Sequence, residues 1–268
     1  MRKTFFISIL FLFVCTSLLI SYNRFHLHLV KQGVVSWNKW RRFKFKGIID
    51  LSNAALKNRK FKNINLNNAN LESSNFSNAD MSFSKMSYAK LKYSIFKKAN
   101  LFKAIFNNAD LTRVNLQQCN LIGSSFNHAK LIGVVLTGSK LSKSTFIGAE
   151  ANFTIFANVD LSKANLSYGQ FISCNFKKAN LKGSNLKHAT LHKADFTGVN
   201  LKNANLRYAD FTGANLKNAN LNGANITLAN MAGAQIHRKY FKLLKKHHVK
   251  GFSKIKWYGE NSTFSKGQ

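Results

Sequence analysis

The side chains that could do chemistry in this sequence are its carboxylates, histidines and serines, and they form no recognisable catalytic pattern. Activated serine nucleophiles, phosphate transfer and metal-dependent hydrolysis each require a short motif with defined spacing. The sequence contains no nucleophile elbow, no glycine-rich phosphate loop and no HExxH segment. We therefore predict that the protein is not an enzyme and uses no cofactor.

The acidic residues in the middle of the chain share one position. All but Glu72 stand directly before a position that is almost always large and apolar; the seven are Glu72, Asp80, Asp110, Glu150, Asp160, Asp195 and Asp210. Asp and Asn side chains bond nearby backbone amides and favour turns. The pattern predicts a structural role and no carboxylate pair for acid–base catalysis.

Two histidine pairs, His26 with His28 and His247 with His248, are the only candidates for metal ligands. A zinc site needs three or four ligands, and nothing near either pair completes the set. We predict no metal site and assign both pairs to the basic flanks.

The charge of the chain is strongly positive, with 41 Lys and Arg against 9 Asp and Glu and a net charge of +32. Such a surface attracts phosphate, acidic lipid headgroups or an acidic protein. The three cysteines are too few and too scattered for a disulfide framework.

Residues 4–23 form an uncharged, largely apolar segment. About 20 residues of helix span the hydrocarbon core of a bilayer. A cleaved signal peptide has a shorter apolar region and small residues at its cleavage site, and Cys15-Thr16-Ser17 is a poor site. We predict a single-pass anchor in a bacterial inner membrane. A cleaved signal, giving a secreted or periplasmic protein, and a lipidated Cys15 remain as alternatives.

From Leu51 to Ile236 a large apolar residue returns at every fifth position, and of these 38 positions only Ala151 lacks one. A small residue, usually Ala, stands two positions earlier, and Asn or Asp predominates between the two. Apolar residues five positions apart form no continuous face on an α-helix, and on a β-strand they point alternately to opposite sides. The chain must therefore bend once per unit and coil around an apolar interior.

Segments such as 99–103, 179–183 and 219–223 resemble the pentapeptide-repeat family, whose pattern is A(D/N)LXX. The resemblance implies an all-β fold, a right-handed quadrilateral β-helix with four pentads per coil. At Ala151 we expect a bulge or a loosened corner, with Phe153 filling the core. Some members of the family mimic duplex DNA, but that role requires a negatively charged rod.

The predicted domain organisation follows from these segments. The pattern of residues 237–252 predicts one amphipathic basic helix that caps the last coil. The expected units are a signal anchor at 1–23, a basic amphipathic linker and N-terminal cap at 24–50, the β-helix at 51–236, and a basic C-terminal cap helix and tail at 237–268.

With four pentads per coil, residues twenty apart share a face, and one face collects 9 of the 23 basic residues of the repeat region, whereas the poorest holds only Lys85, Lys187 and Arg207. Arg59 and Lys60 are two of these nine, and the other seven form the candidate face for an anionic partner: Lys62, Lys103, Lys140, Lys143, Lys163, Lys182 and Lys202.

We interpret the protein as a membrane-anchored, non-catalytic scaffold that binds an acidic protein or an anionic lipid surface. A nucleic-acid-binding protein and a secreted, host-directed bacterial effector are the alternatives. Against nucleic acid, the outward tyrosines Tyr88, Tyr93, Tyr168 and Tyr208 look scattered, without a platform on which bases could stack.

The anchor can be tested on purified membranes. We expect N-terminal sequencing of the membrane-bound protein to start at or next to Met1, because the segment 4–23 is long and its cleavage site is poor. Recovery of a chain that starts near Leu18 would show a cleaved signal instead.

Overall fold

The chain winds into a β-helix with four pentads in each coil. The computed structural model describes residues 24–42 and 48–259. Parallel backbone pairing joins residues twenty apart along the whole repeat, from Asp50 with Asn70 to Asn215 with Gln235. Each pentad thus forms one side of a four-sided coil, and each side pairs with its counterpart in the next coil.

A tight turn ends every side of the coil. The amide of the small residue donates to the carbonyl of the large residue three positions before it, as from Ala54 to Leu51 and from Ala104 to Leu101. Of the two residues between them, only the second has a positive φ, near 60°. This combination defines a type II turn. The turn explains why the chain changes direction once in five residues.

The core is built from columns of large side chains that repeat every twenty residues. Phenylalanines in successive coils stack face to face, and the ring centroids of Phe106, Phe126 and Phe146 are 4.8 Å apart. Phe156, Phe176 and Phe196 form a second stack with spacings of 4.7 and 4.8 Å. These distances match the separation of paired strands, so the backbone ladder and the ring stacks share one period.

The prediction for Ala151 was wrong, because the coil continues through it without a bulge. Ala151 is buried, and its amide donates to the carbonyl of Gln170 at 2.8 Å, as the amides of Phe146 and Phe156 do to the carbonyls of Asn165 and Asn175. Phe153 lies in the turn and is 63% exposed, so it does not fill the core. Backbone bonds to the coils on both sides hold the register, and one small side chain does not change it.

Two helices cover part of the first coil. Residues 24–31 are helical (α1) and are followed by α2, Val34–Arg42. Trp37 of α2 is fully buried and donates from Nε1 to the carbonyl of Asn65 at 2.7 Å. Asn38 and Arg41 bond further backbone groups of the same coil. The cap therefore satisfies strand-edge groups that would otherwise lack partners.

The C-terminal flank is not the single helix that the sequence predicted. It contains a strand β1, Gln235–His237, a 3₁₀ turn, Arg238–Tyr240, a six-residue helix α3, Phe241–Lys246, a second 3₁₀ turn, Phe252–Lys254, and a strand β2, Lys256–Tyr258. β2 pairs in parallel with β1. The flank thus adds one irregular coil and buries Tyr240, Leu244 and Val249 against the last regular one.

The predicted anchor at residues 4–23 lies outside the described residues. Within 24–42 and 48–259, no helix has the length and apolar character needed to cross a bilayer.

The interior is tested by Leu181, which is fully buried. We expect Leu181→Asp to lower the free energy of unfolding by at least about 3 kcal/mol, because the core offers no partner for a charge. Thermal melts of the full-length protein, followed by far-ultraviolet circular dichroism, measure the loss.

Lys178→Asp serves as the control, since Lys178 is exposed in a turn with a φ of 56° that Asp tolerates. This change should leave the melting temperature nearly unchanged. A melt of Leu181→Asp that coincides with the control would contradict the buried column.

Candidate anion-binding face

The seven candidate lysines lie on one side of the rod. Parallel pairing runs from Asn120 through Lys140 to Asp160, Asn180 and Asn200, which identifies this side as a single sheet. All seven side chains are exposed. We call this set the basic face: Lys62, Lys103, Lys140, Lys143, Lys163, Lys182 and Lys202.

The turns place the lysines in rows along the rod. Lys103, Lys143 and Lys163 occupy the left-handed turn position, with φ between 53° and 60°. The Cγ atom of Lys103 lies 3.3 Å from the point where a Cβ on Gly123 would stand, so its stem packs along the next coil. The stems are supported by neighbouring backbone while the ammonium groups remain in solvent.

Two pairs on the basic face place like charges on neighbouring coils. Lys143 and Lys163 are twenty residues apart, and so are Lys182 and Lys202. Like charges directly opposite each other on paired strands are destabilising. The fold tolerates this cost because the backbone ladder, and not the side chains, sets the register.

The basic face has few compensating charges. Asp80 and Asp160 are its only carboxylates in the repeat region. The ion pairs within the described ranges lie on other faces and join Lys92 to Asp110, Lys177 to Asp195 and His192 to Asp210. The positive charge of the basic face is therefore available to a partner.

Lys140 interrupts a ladder of side-chain hydrogen bonds. In its column Asn120 donates to Asn100 at 3.0 Å, and Asn180 donates to Asp160 at 3.0 Å. Lys140 stands between these two segments and cannot accept a hydrogen bond. The column therefore lacks these side-chain hydrogen bonds at this coil and carries a positive charge there instead.

Aromatic rings lie among the lysines at the N-terminal end of the basic face. Phe83 and Phe102 contact each other edge to face, with centroids 5.4 Å apart. The Nζ atoms of Lys62 and Lys103 lie 5.8 and 5.9 Å from the centre of the Phe83 ring, within cation–π range. This end of the face combines charge with accessible apolar surface.

The interpretation of the tyrosines as scattered was wrong. Tyr88, Tyr168 and Tyr208 share one column, and His188 stacks between Tyr168 and Tyr208 at 4.9 and 4.8 Å. Counting in twenties along the sequence would have found this column. It lies on the poorest basic face, and the rings of Tyr168 and His188 cover each other. Base stacking on the rings inside this column is therefore blocked.

The aspartates before the large column accept hydrogen bonds from backbone amides, as the sequence predicted. Asp110 accepts hydrogen bonds from the amide and the hydroxyl of Thr112 at 3.1 and 2.6 Å. Burial alone would raise the pKa of Asp110, but these bonds and the nearby Lys92 outweigh it and hold the pKa below its usual value. Asp195 and Asp210 follow the same pattern with Thr197 and Thr212.

The remaining candidate ligands and nucleophiles serve the structure. His26 is buried, its Nδ1 accepts from the amide of Asp50, and burial lowers its pKa. Burial raises the pKa of both Cys119 and Cys174 to about 12, so both thiols stay protonated at neutral pH. No group of three His, Cys, Asp or Glu within 24–42 and 48–259 is arranged to hold a metal ion.

The repeat region matches a known family. A family model for pentapeptide repeats matches eight copies, in segments that lie between residues 49 and 233. These segments span well over half of the chain. The chain belongs to the pentapeptide-repeat family. The four-sided coil, the large column and the type II turns are thus features of a pentapeptide-repeat solenoid, and the protein is a repeat scaffold.

Solved pentapeptide-repeat structures are similar to this chain. HetL from Nostoc sp. strain PCC 7120, which is involved in heterocyst differentiation regulation, is 28% identical, with 74% of this chain and 93% of that chain covered and a TM-score of 0.46. QnrB1, a plasmid-mediated fluoroquinolone resistance protein, is 15% identical, with 79% and 91% covered and a TM-score of 0.49. Among curated proteins no match is found.

Lys140 offers a test of the ladder. We expect Lys140→Asn to stabilise the pentapeptide-repeat rod by about 1 kcal/mol, because the introduced amide can donate to Asn120 and accept from the amide of Ser142. A thermal melt of the full-length protein should rise by a few degrees.

Lys140→Gln is the matched control, since it removes the charge without the geometry of the ladder. An equal rise in both variants would show that relief of charge repulsion, and not the ladder, causes the gain.

Proposed function

We propose that this pentapeptide-repeat protein is a membrane-anchored, non-catalytic scaffold whose basic face binds an anionic partner, either an acidic protein or an anionic membrane. The basic face carries the proposal, because it concentrates lysines in rows on one side of a rigid rod. The uncharged segment 4–23 supports the anchor, and the bacterial inner membrane is the proposed location.

The arrangement of charge supports binding more than general solubility. The basic face places like charges on neighbouring coils twice, at Lys143 and Lys163 and at Lys182 and Lys202, whereas the poorest face does so once, at Lys187 and Arg207. Lys140 also takes a ladder position, but Lys85, Lys90 and Lys130 do the same on other faces, so the support comes from the number of lysines on the basic face. An anionic partner would relieve the repulsion on binding.

Nucleic acid remains the less favoured partner. The aromatic column Tyr168, His188 and Tyr208 lies away from the basic face, and its rings stack on each other. Single-strand binders combine charge and accessible ring faces in one groove. On this rod the stacked tyrosine and histidine rings lie away from the basic face, and the Phe83 ring on the basic face is already contacted by Phe102, Lys62 and Lys103.

The basic face can be tested by charge reversal. We expect Lys143→Glu, Lys163→Glu and Lys182→Glu together to weaken binding at least tenfold, since each basic residue near an anionic surface contributes about 1 kcal/mol. The full-length protein is held in nanodiscs of neutral lipid, which accommodate the anchor. Binding to phosphatidylglycerol vesicles, to polyglutamate and to duplex DNA is then measured at several salt concentrations.

The matched control reverses Lys85, Lys187 and Arg207 on the poorest face. A loss confined to the first triple variant supports the basic face, and its size against vesicles or polyglutamate identifies the kind of partner. Equal losses in both triple variants would show that net charge governs attachment. Tighter binding to DNA than to either other probe would favour the nucleic-acid reading.

A further inference from the structure

A cleft opens between the N-terminal cap and the first coil. It holds about 580 Å³ and lies between α2 and the turn that follows Phe61. Its lining includes Val34, Val35, Lys39, Arg42, Lys62 and Asn63. The helix is fixed against the coil by Trp37 and Asn38, whose side chains bond the carbonyls of Asn65 and Asn63. The walls of the cleft therefore belong to one packed unit.

The cleft is positively charged. Lys39 and Arg42 come from α2 and Lys62 from the coil, and all three side chains are exposed. No carboxylate is among the described residues that line it, and none of the three cations takes part in an ion pair there. Three cationic residues that line one space, one of them with a guanidinium, suit a phosphate group.

One wall of the cleft is apolar and open to solvent. Val34 and Val35 of α2 form this wall, and Val35 is 84% exposed, the highest value among the large apolar side chains in the described part of the chain. A free anion would leave this surface uncovered. An amphipathic ligand would place its phosphate on the cations and its apolar part against Val35.

We propose that this cleft binds the headgroup of an anionic phospholipid. The inference rests on the membrane anchor of the proposed function, because α1 is described from residue 24, directly after the uncharged segment 4–23. An anchor at that point holds the cap at the level of the headgroups. Basic and apolar side chains together are the features of a protein surface that lies in the membrane interface.

The test measures lipid binding to the full-length protein in a neutral detergent. Short-chain phosphatidylglycerol, phosphatidylcholine of the same chain length, and inorganic phosphate are titrated separately by calorimetry. We expect phosphatidylglycerol to bind at least tenfold more tightly than either other probe. Lys39→Gln with Arg42→Gln should reduce that affinity at least tenfold. Val35→Ser should weaken phosphatidylglycerol and leave inorganic phosphate unchanged.

The control is Lys97→Gln with Lys98→Gln, two exposed lysines on another face. Equal losses in the cleft and control pairs, or equal affinity for both lipids, would overturn the inference. Inorganic phosphate that binds as tightly as phosphatidylglycerol would show that the cleft binds a free anion, and this result would also overturn the inference. Lys62 is left unchanged because it belongs to the basic face.

The two proposals fail separately. Retained lipid binding in a chain whose N-terminal segment is cleaved would contradict the proposed anchor and support the proposed lipid site in the cleft. Suppose that the basic-face variant loses partner binding and that Lys39→Gln with Arg42→Gln leaves the lipid affinity unchanged. This result would support the basic face and contradict the proposed lipid site in the cleft.

Discussion

The parallel hydrogen-bond ladder between residues twenty apart is the interaction on which the rest of this structure depends. In each pentad the amides of the large residue and of the second turn residue donate to carbonyl groups of the next coil. The carbonyl of the small residue accepts a bond from the amide at the Asn or Asp position of the next coil. Because four sides are paired in this way, no single side chain decides the register. The coil at Ala151 demonstrates this, since the bonds of that pentad are made without a large side chain inside.

The ladder also explains why unusual residues are tolerated at the turns. Lysine, arginine and tyrosine occupy left-handed turn positions at Lys98, Arg113 and Tyr88. Such residues lose about 1 kcal/mol or more relative to glycine in this conformation. The surrounding bonds hold the turn in place, so a side chain of almost any type can be presented there. This freedom lets the rod display rows of lysine on one face and stacked rings on another.

The period of five predicted the buried column and the bend, because both follow from which residues must point inward. The number of pentads in a coil did not follow from that period and came from the family resemblance. With four pentads in a coil, residues twenty apart share a column, which places Tyr168, His188 and Tyr208 together. This spacing is visible in the sequence, but the tyrosines were interpreted as scattered. The N-terminal cleft could not be predicted, since it depends on how Trp37 and Asn38 seat α2 on the coil.

The C-terminal flank shows why local periodicity was misleading there. Residues 237–252 place apolar side chains at helical spacing, but an open coil also presents unpaired strand groups that attract any nearby backbone. Lys250 pairs with Asn230 at a separation of twenty residues, and Lys256 pairs with Gln235 at twenty-one. The register thus shifts by one residue between these two pairs, and the only α-helix in the flank is the six-residue α3 in the part of the chain that the structure describes.

The position of charge relative to the ladder limits what the basic face can bind. Neighbouring coils are about 5 Å apart, well inside the Debye length of about 8 Å at physiological ionic strength. Lysines on adjacent coils therefore repel each other in the free protein, and the backbone ladder fixes the spacing of the residues that carry them. A partner with negative charges along one direction removes this repulsion over several coils at once. A small isolated anion would neutralise one pair and leave the others, which is why the proposed partner is an extended anionic surface and not a single ion.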